Sequence, residues 1–600
     1  MFGTAIPPVI TRALDRLLAF DKLSHLYESL REGADIVSSL LAHMGLNIRV
    51  SNDDLARIPP SGPVILTCNH PHGILDGAVL STALRSVRAD VKILANELLS
   101  AIPEISNLLI PVSQQGRNRR AATAALEHLS RGGVLVVFPA GAVSHFQWSK
   151  RAIADSRWAP GAARIAMLAG DVNIVPAYIA GGNSTLFQAA GLIHQQARTA
   201  LLVRELLNKR NRTIEVRMGT PVSSKKLVEF STARERIEYL QWRTTLLGSR
   251  QQFRTDTRRP VYNVAQSGQA EIAPAEDRDT MAGEIDLLPG TALLAASGEL
   301  AVYIATARQI QTVLQEIGRL REITFRAIGE GTGKPKDLDQ FDQTYLHLFV
   351  WNQARHEVVG AYRIAATDQV RSLYTATLFH LKPEFVDCLG PALELGRSFV
   401  RIEYQRAFAP LLLLWKGIGK FVARNPRCKT LFGPVSISNQ YSASARELMM
   451  SFLERYASLP SLKHLVLPRK RMRTRKDLLA TVEGLEVDDL ATAVSDVEAG
   501  GVGIPVLLRQ YLKLGGKLLS FSVDQKFSNV LDGLIVVDLT QTDPRLLERY
   551  LGKEEAAQFL EYQKGKHGSH SGRDRHELAS AARRGSHSTA NTLLQVHRSA

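Results

Sequence analysis

Cysteine is nearly missing from this chain: its 600 residues include three, Cys68, Cys388 and Cys428. So few, so far apart, exclude a disulfide framework and a cysteine zinc site, and they fit a reducing compartment. Long apolar runs are missing too. The most apolar stretches, such as AFAPLLLLWKGIGKFVA, are short or broken by charge. They fall below the roughly 18–20 residues that a spanning helix needs. The segment MFGTAIPPVITRALDRLLAFDK has no basic start followed by a long apolar run, so no secretory signal is expected. Zinc-finger spacing and aromatic RNA-binding signatures are also missing, which sets nucleic acid aside as a partner. A soluble or peripheral protein without a metal site is expected.

What is present is positive charge and length. The net charge is +16, which suits acidic proteins or an anionic lipid surface. A chain of 600 residues is too long for one hydrophobic core, so at least two domains are expected. Residues 1–45 carry a helical stripe in which Leu14, Leu17, Leu18, Leu26 and Leu30 recur at three- and four-residue steps. From 46 to 250, short apolar runs (PVILTC, VKILA, GVLVVFPA, VNIVPAYIA, TIEVRMG) alternate with helical patterns, which predicts an α/β domain. Residues 251–287 are polar and without period and read as a linker. A second α/β domain is expected over 288–550. The Gly-, Ser-, His- and Arg-rich tail, 563–600, is expected to be disordered.

Chemistry concentrates in two places. The first is CNHPHGILDG at 68–77, directly after the strand candidate PVILTC. Ligands gather at the carboxyl ends of strands in open α/β sheets. An imidazole can take a proton from a hydroxyl nucleophile while a carboxylate holds the ring in one tautomer. His70 and Asp76 are the candidate pair, and His72 is a rival base.

Behind that loop come LLIPVSQQGRNRRA, GVLVVFPAGAVSHF and VNIVPAYIAGGNS. This order of blocks resembles the lysophospholipid (glycerolipid) acyltransferase family over roughly residues 45–225. The resemblance makes His70 and Asp76 catalytic, and it places Asn69, Gly73, Arg117, Pro139, Gly141 and Pro176 around the substrate. Two departures stand out. Five residues separate His70 from Asp76 where the family has four. Ala140 and Val143 stand where the family has a glutamate and an arginine associated with the glycerol-phosphate acceptor. A phosphate normally asks for arginine or backbone amides, so an acceptor without glycerol phosphate is expected. Arg117, Arg119 and Arg120 are left to meet an acidic group.

The second place is ALELGRSFVRIEYQR, which sets Glu394, Arg397, Arg401, Glu403 and Arg406 among apolar residues. Buried charges are costly unless paired, so the segment predicts a polar pocket or a salt-bridged surface. With Asp339, Asp342 and Arg363 upstream, and with VVGAYRI, LFGPVSISNQYS and IPVLLRQYLKLGGKLLSFSVDQKFSNVLDGLIVV, residues 290–540 resemble the N-acyltransferase of ornithine-lipid synthesis. That family is a relative of the acyl-homoserine-lactone synthases within the GNAT-like fold. The resemblance implies a charged network of Asp339, Asp342, Arg363, Glu394 and Arg397 beside the acyl and amine sites. Glu394 and Glu403 are the candidate bases for an α-amine, and base and orienter are not distinguished between them. Backbone amides on a splayed strand can stabilise the oxyanion.

The pairing of the two halves resembles the bifunctional ornithine-lipid synthases of bacteria. The fold class so implied is α/β in two domains, glycerolipid-acyltransferase-like and then GNAT-like, with a disordered tail. The resemblance implies no cofactor. It implies acyl carrier protein as donor, ornithine or a similar amino acid as acceptor, and work at the inner face of the cytoplasmic membrane of a bacterium. Two alternatives stand beside it. One is a different aminolipid synthase, or a lysophospholipid acyltransferase with an inactive GNAT-like half. The other is a non-enzymatic, haemolysin-like membrane-binding protein.

Overall fold

The computed structural model describes residues 20–30, 35–113, 118–250, 269–472, 479, 483–498 and 500–570. These residues divide into two compact units, interleaved in sequence: those described within 1–253, 442–451 and 476–504 form one, and those described within 254–441, 452–475 and 505–600 the other.

The strands of the first unit are β1 Asn47–Arg49, β2 Val64–Cys68, β3 Val91–Asn96, β4 Leu109–Val112, β5 Val134–Val137, β6 His145–Gln147, β7 Ala152–Ala154, β8 Asn173–Ile179, β9 Thr213–Met218 and β10 Val222–Ser223. The main sheet runs β1-β9-β8-β2-β5-β3-β4, with β10 beside β8, while β6 and β7 form a separate hairpin. From β8 to β4 every neighbour is parallel. Strands β2 and β5 are buried along their whole length. That explains their unbroken apolar runs: helices cover both faces of a parallel sheet, so no polar alternation develops. The five strand candidates read from sequence are β2, β3, β5, β8 and β9.

Helix Val487–Val497 belongs to this unit, although the sequence reading placed it in a continuous second domain over 288–550. Its Asp496 is fully buried, and it accepts from Arg57 Nη1 at 3.1 Å, Thr220 N at 2.7 Å and Arg243 Nη2 at 2.6 Å. Asp489, two turns earlier, takes the Tyr239 hydroxyl at 3.0 Å. A buried carboxylate needs such partners, and the first unit supplies them.

The second unit has β11 Leu293–Ser297, β12 Leu300–Thr306, β13 Leu346–Asn352, β14 Glu357–Ala366, β15 Phe379–Leu381, β16 Ala392–Val400, β17 Thr430–Ile437, β18 Val466–Pro468, β19 Lys517–Asp524 and β20 Val530–Asp538. Its sheet runs β11-β12-β13-β14-β16-β17-β20-β19. All neighbours are antiparallel except β16 and β17, which are parallel. That one parallel pair holds for three residues, from Ala392↔Thr430 to Glu394↔Phe432. Beyond it β16 stays with β14 and β17 with β20, so the sheet opens into a V. Gly433 sits at the vertex, where a Cβ would lie 2.0 Å from the Leu395 carbonyl oxygen. Only glycine lets the two backbones meet there.

Two boundaries differ from the sequence reading. Within the expected linker 251–287, Arg278–Asp286 is a helix capped by Asp277, and it buries Met281 and Ile285. Three apolar residues in nine, Met281, Ala282 and Ile285, are too weak a stripe to reveal it. The helix Lys553–His570 runs past 563, where the tail was expected to begin; residues 571–600 lie outside those described. Among the described residues, no helix is long and apolar enough to cross a membrane, and no group of side chains is arranged to hold a metal ion.

Candidate active sites

In the first unit the chain leaves β2 at Cys68, and Asn69 at once ties it to β8. Asn69 Nδ2 donates to Ile179 O at 2.9 Å, and Ile179 N donates to Asn69 Oδ1 at 2.7 Å. The side chain acts as one more rung of the parallel ladder. The turn Pro71–Gly73 follows, and Gly73 takes φ +79° as it starts the helix Ile74–Leu84. This turn absorbs the extra residue between His70 and Asp76.

The result is a dyad. Asp76 is fully buried in the first turn of that helix, where the helix dipole favours a carboxylate. Its Oδ2 lies 2.9 Å from His70 Nδ1 and also accepts from His72 N at 2.9 Å and Gly73 N at 3.1 Å. With Nδ1–H given to the carboxylate, His70 Nε2 is the free lone pair. The His70 side chain is 20 % exposed, and its ring stacks on Phe138 with centroids 4.3 Å apart. His72 is not an equivalent base. It is buried, its Nε2 lies 3.1 Å from Ala180 O, and burial pushes its pKa down.

The ends of β5 and β8 flank the dyad. Pro139 is buried and Gly141 turns the chain at φ +64°. Pro176 lies within β8, level with Thr67 of β2. Val143 packs with Phe187 and Leu201, an apolar wall at the place where the related pattern carries arginine. Arg119 and Arg120 are exposed at the start of a helix, and Arg117 lies outside the described residues.

Asp155 escapes a reading by sequence blocks. Its Oδ1 accepts from His70 N at 3.2 Å and from the Ser144 hydroxyl, and its Oδ2 takes Trp158 Nε1 at 2.8 Å. It therefore pins the His70 backbone to the loop after β5. Burial raises its pKa. No local spacing marks its role, because His70 lies far off in sequence.

In the second unit, Asp339 and Asp342 cap a short turn at Gln340–Gln343, each carboxylate accepting a backbone N–H. Arg363 Nη1 reaches Asp339 at 2.5 Å and Asp342 at 3.1 Å, and Arg321 holds Asp342 at 2.7 Å. Although burial opposes it, Arg321 and Arg363 keep the Asp342 carboxyl well below its usual range. Arg397 lies on β16 just past the vertex of the V, beside a register shift and at φ +48°. That left-handed conformation is strained for a side chain of this size. Its guanidinium is 3.3 Å from Asp337 and lies over the rings of Tyr374 and Phe527.

The two candidate bases are not brought together. Glu394 is buried and saturated: Tyr345 OH, Tyr374 N, Thr375 N and the Thr375 hydroxyl all donate to it. Such a carboxylate ties β16 to the loop at 374–375 and leaves little freedom for proton transfer. Glu403 is 61 % exposed and pairs with Arg401 at 3.0 Å. No contact among the described residues joins it to Glu394 or Arg397.

The carboxyl with base-like surroundings is Glu330. The helix Gln311–Ala327 ends just before it, and Glu322 of that helix gathers Thr332 N at 3.0 Å and Gly333 N at 2.8 Å to form the turn. Glu330 is 3 % exposed and accepts from Ser436 Oγ on β17 at 2.9 Å. Burial pushes its pKa up to about 7, against the pull of Ser436 and Arg397. A lone glutamate between glycines carries no signal of this in sequence.

Two family models match the chain: an acyltransferase model over residues 11–252 and an acetyltransferase (GNAT) domain over residues 320–416. A glycine Nα-acyltransferase of Bacteroides thetaiotaomicron is 32% identical over 270 residues, covering 41% of this chain and 80% of that protein. An L-ornithine Nα-acyltransferase of Rhodobacter capsulatus is 27% identical over 276 residues, covering 43% of this chain and 98% of that protein. The solved structure of the AHL synthase LasI covers 23% of this chain and 74% of its own, at 16% identity and a TM-score of 0.19, too low to bear on the fold. The protein is an acyltransferase with a GNAT-like second half. It belongs to the same family as the Bacteroides glycine Nα-acyltransferase.

Proposed function

We propose that the chain makes an N,O-diacylated amino-acid lipid in two steps, with ornithine as the acceptor. The second unit joins a 3-hydroxyacyl group, delivered as a thioester on acyl carrier protein, to the α-amine. The first unit then acylates the free 3-hydroxyl of that product. The observation that supports this reading is that each unit holds a group placed to accept a proton: His70, 2.9 Å from Asp76, in one, and buried Glu330, 2.9 Å from Ser436, in the other.

In the N-acylation step the α-ammonium, whose pKa is near about 8, loses a proton to Glu330. The amine attacks the thioester carbonyl, an N–C bond forms, and the C–S bond breaks. The nitrogen gives up its second proton as that bond breaks; this proton leaves on the carrier thiol, and the first passes from Glu330 to solvent. The edge of β16 left free beyond Glu394 offers backbone amides to the oxyanion. In the O-acylation step His70 Nε2 takes the hydroxyl proton while Asp76 stabilises the imidazolium, and the proton passes to the departing thiol. Val143 and Ala140 fit an intermediate with no phosphate in its head group, and the apolar wall of Val143, Phe187 and Leu201 fits an acyl chain. The +16 charge suits an acidic carrier protein and the anionic inner face of the membrane.

A second reading, glycine as acceptor, is favoured by the 32% identity to the glycine enzyme. Lipid mass spectrometry tests both, with the chain expressed in a bacterium that lacks aminolipids. The expected product is an ornithine lipid, reduced to its mono-acylated form by His70→Ala and abolished by Glu330→Gln. Diacylated glycine lipid alone would select the second reading. A cell with soluble protein and no aminolipid at all would overturn the proposal.

A further inference from the structure

Sequence identity points toward glycine, yet the charges around the V point to a larger acceptor. Three guanidiniums and three carboxylates there already match one for one: Arg321 with Asp342, Arg363 with Asp339, and Arg397 with Asp337. Glu394, Glu330, Asp524 and Asp532 remain; none has an ion pair with a described cation, and of these Glu394 is already saturated by hydrogen bonds. Asp524 ends β19 and Asp532 lies in β20, opposite Ser522 of β19 and Ser436 of β17. With Asp524 opposite Val530, the two aspartates are diagonal neighbours on one face of the sheet. Asp524 takes Lys526 N at 2.9 Å and Tyr374 OH at 3.4 Å. Asp532 is 6 % exposed, and its carboxylate has no hydrogen bond to a described residue. Its electrostatic neighbours are Asp524, Glu330 and Arg397. Packing alone does not account for a buried, unpartnered aspartate beside two further acids. It fits a place where a cation arrives with the substrate.

We propose that Asp524 and Asp532 bind the side-chain ammonium of the acceptor amino acid, and so select a diamino acid over glycine. The assignment rests on the reading of the second unit as an amino-acid N-acyltransferase. Glu330 meets the reacting α-amine, and the two aspartates hold the second one. An acceptor without that second amine leaves both carboxylates unpaired in a buried site, the situation in which polar sites discriminate most strongly.

The test compares ornithine with norvaline, which has the same carbon skeleton and no terminal amine, using the full-length chain. Wild type, Asp532→Asn and the double variant with Asp524→Asn are assayed for acyl transfer. Ornithine binding is measured by calorimetry alongside. The expected wild-type preference for ornithine in kcat/KM is on the order of 10²-fold or more. It should collapse to a few-fold in Asp532→Asn, through KM for ornithine, with matching loss of ornithine binding. Asparagine is isosteric, and an unchanged or raised Tm shows that the variant folds. A wild type that treats the two acids alike, or a preference that survives both substitutions, overturns the assignment. If the wild type acylates no amino acid, the N-acyltransferase reading fails, and calorimetry alone then decides the pocket. Ornithine binding lost in Asp532→Asn supports it, and indifference to the substitution overturns it.

Discussion

Glu330→Gln should make the protein more stable and less active, and the structure gives the size of the first effect. The carboxyl is 3 % exposed and its pKa is pushed from 4.5 to about 7. At about 1.36 kcal/mol per unit, that rise costs the ionised folded state about 3 kcal/mol. A group whose pKa is higher in the folded state binds its proton more tightly there, so its stabilising effect is complete below about pH 4.5. It is lost as pH rises through about 7. The neutral amide of glutamine removes this dependence and keeps an oxygen for the Ser436 hydroxyl. Urea unfolding of the full chain, followed at about pH 4.5 and about pH 8, checks it. The variant should match wild type at the lower pH and exceed it by about 3 kcal/mol at the higher one. N-acylation by the same variant should fall by about 10²–10⁴-fold. In wild type, kcat/KM for this step should rise with an apparent pKa near 7. A stability gap equal at both pH values refutes the account of burial. Full N-acylation by a well-folded variant refutes the role of Glu330 as base.

The other predictions concern the first unit. Asp76→Asn leaves Nδ1 of His70 without its carboxylate and permits the wrong tautomer, so O-acylation should fall by about 10²–10⁴-fold with little change in KM. Accumulation of the mono-acylated lipid reads this out. Asp496→Ala leaves the buried Arg243 and its neighbour Arg57 without their shared carboxylate. It should destabilise the first unit by about 3–5 kcal/mol, measured as a lowered unfolding transition. An unchanged transition would mean that helix Val487–Val497 contributes nothing to that unit's fold.

The first site was readable because its parts are local. His70, Gly73 and Asp76 lie on one turn, and the strand before it is a plain apolar run, so spacing and position at a strand end carry the argument. Asp155 was not readable, because it reaches His70 only through a fold that brings residue 155 beside residue 70. The second site divides in the same way. Asp339 and Asp342 lie on one short turn, and the sequence offers them as charges of the network, though not as its caps. Glu394 was recognised as an unusual buried charge, but its donors Tyr345, Tyr374 and Thr375 come from other segments, and they make it a tie where a base was expected. Glu403, from the same charged segment, ends exposed beside Arg401.

The alternating α/β pattern, the His–Asp turn and the presence of charge inside apolar segments are legible in the order of residues alone. These depend on neighbours a few residues apart and on hydrophobic period. Burial decided the rest. Which carboxyl is stripped of water, which keeps a guanidinium and which is left alone depends on residues well outside its own segment. So does the docking of Asp496 into the first unit. A carboxyl's pKa and its use follow from its surroundings, and only the tertiary structure assembles those.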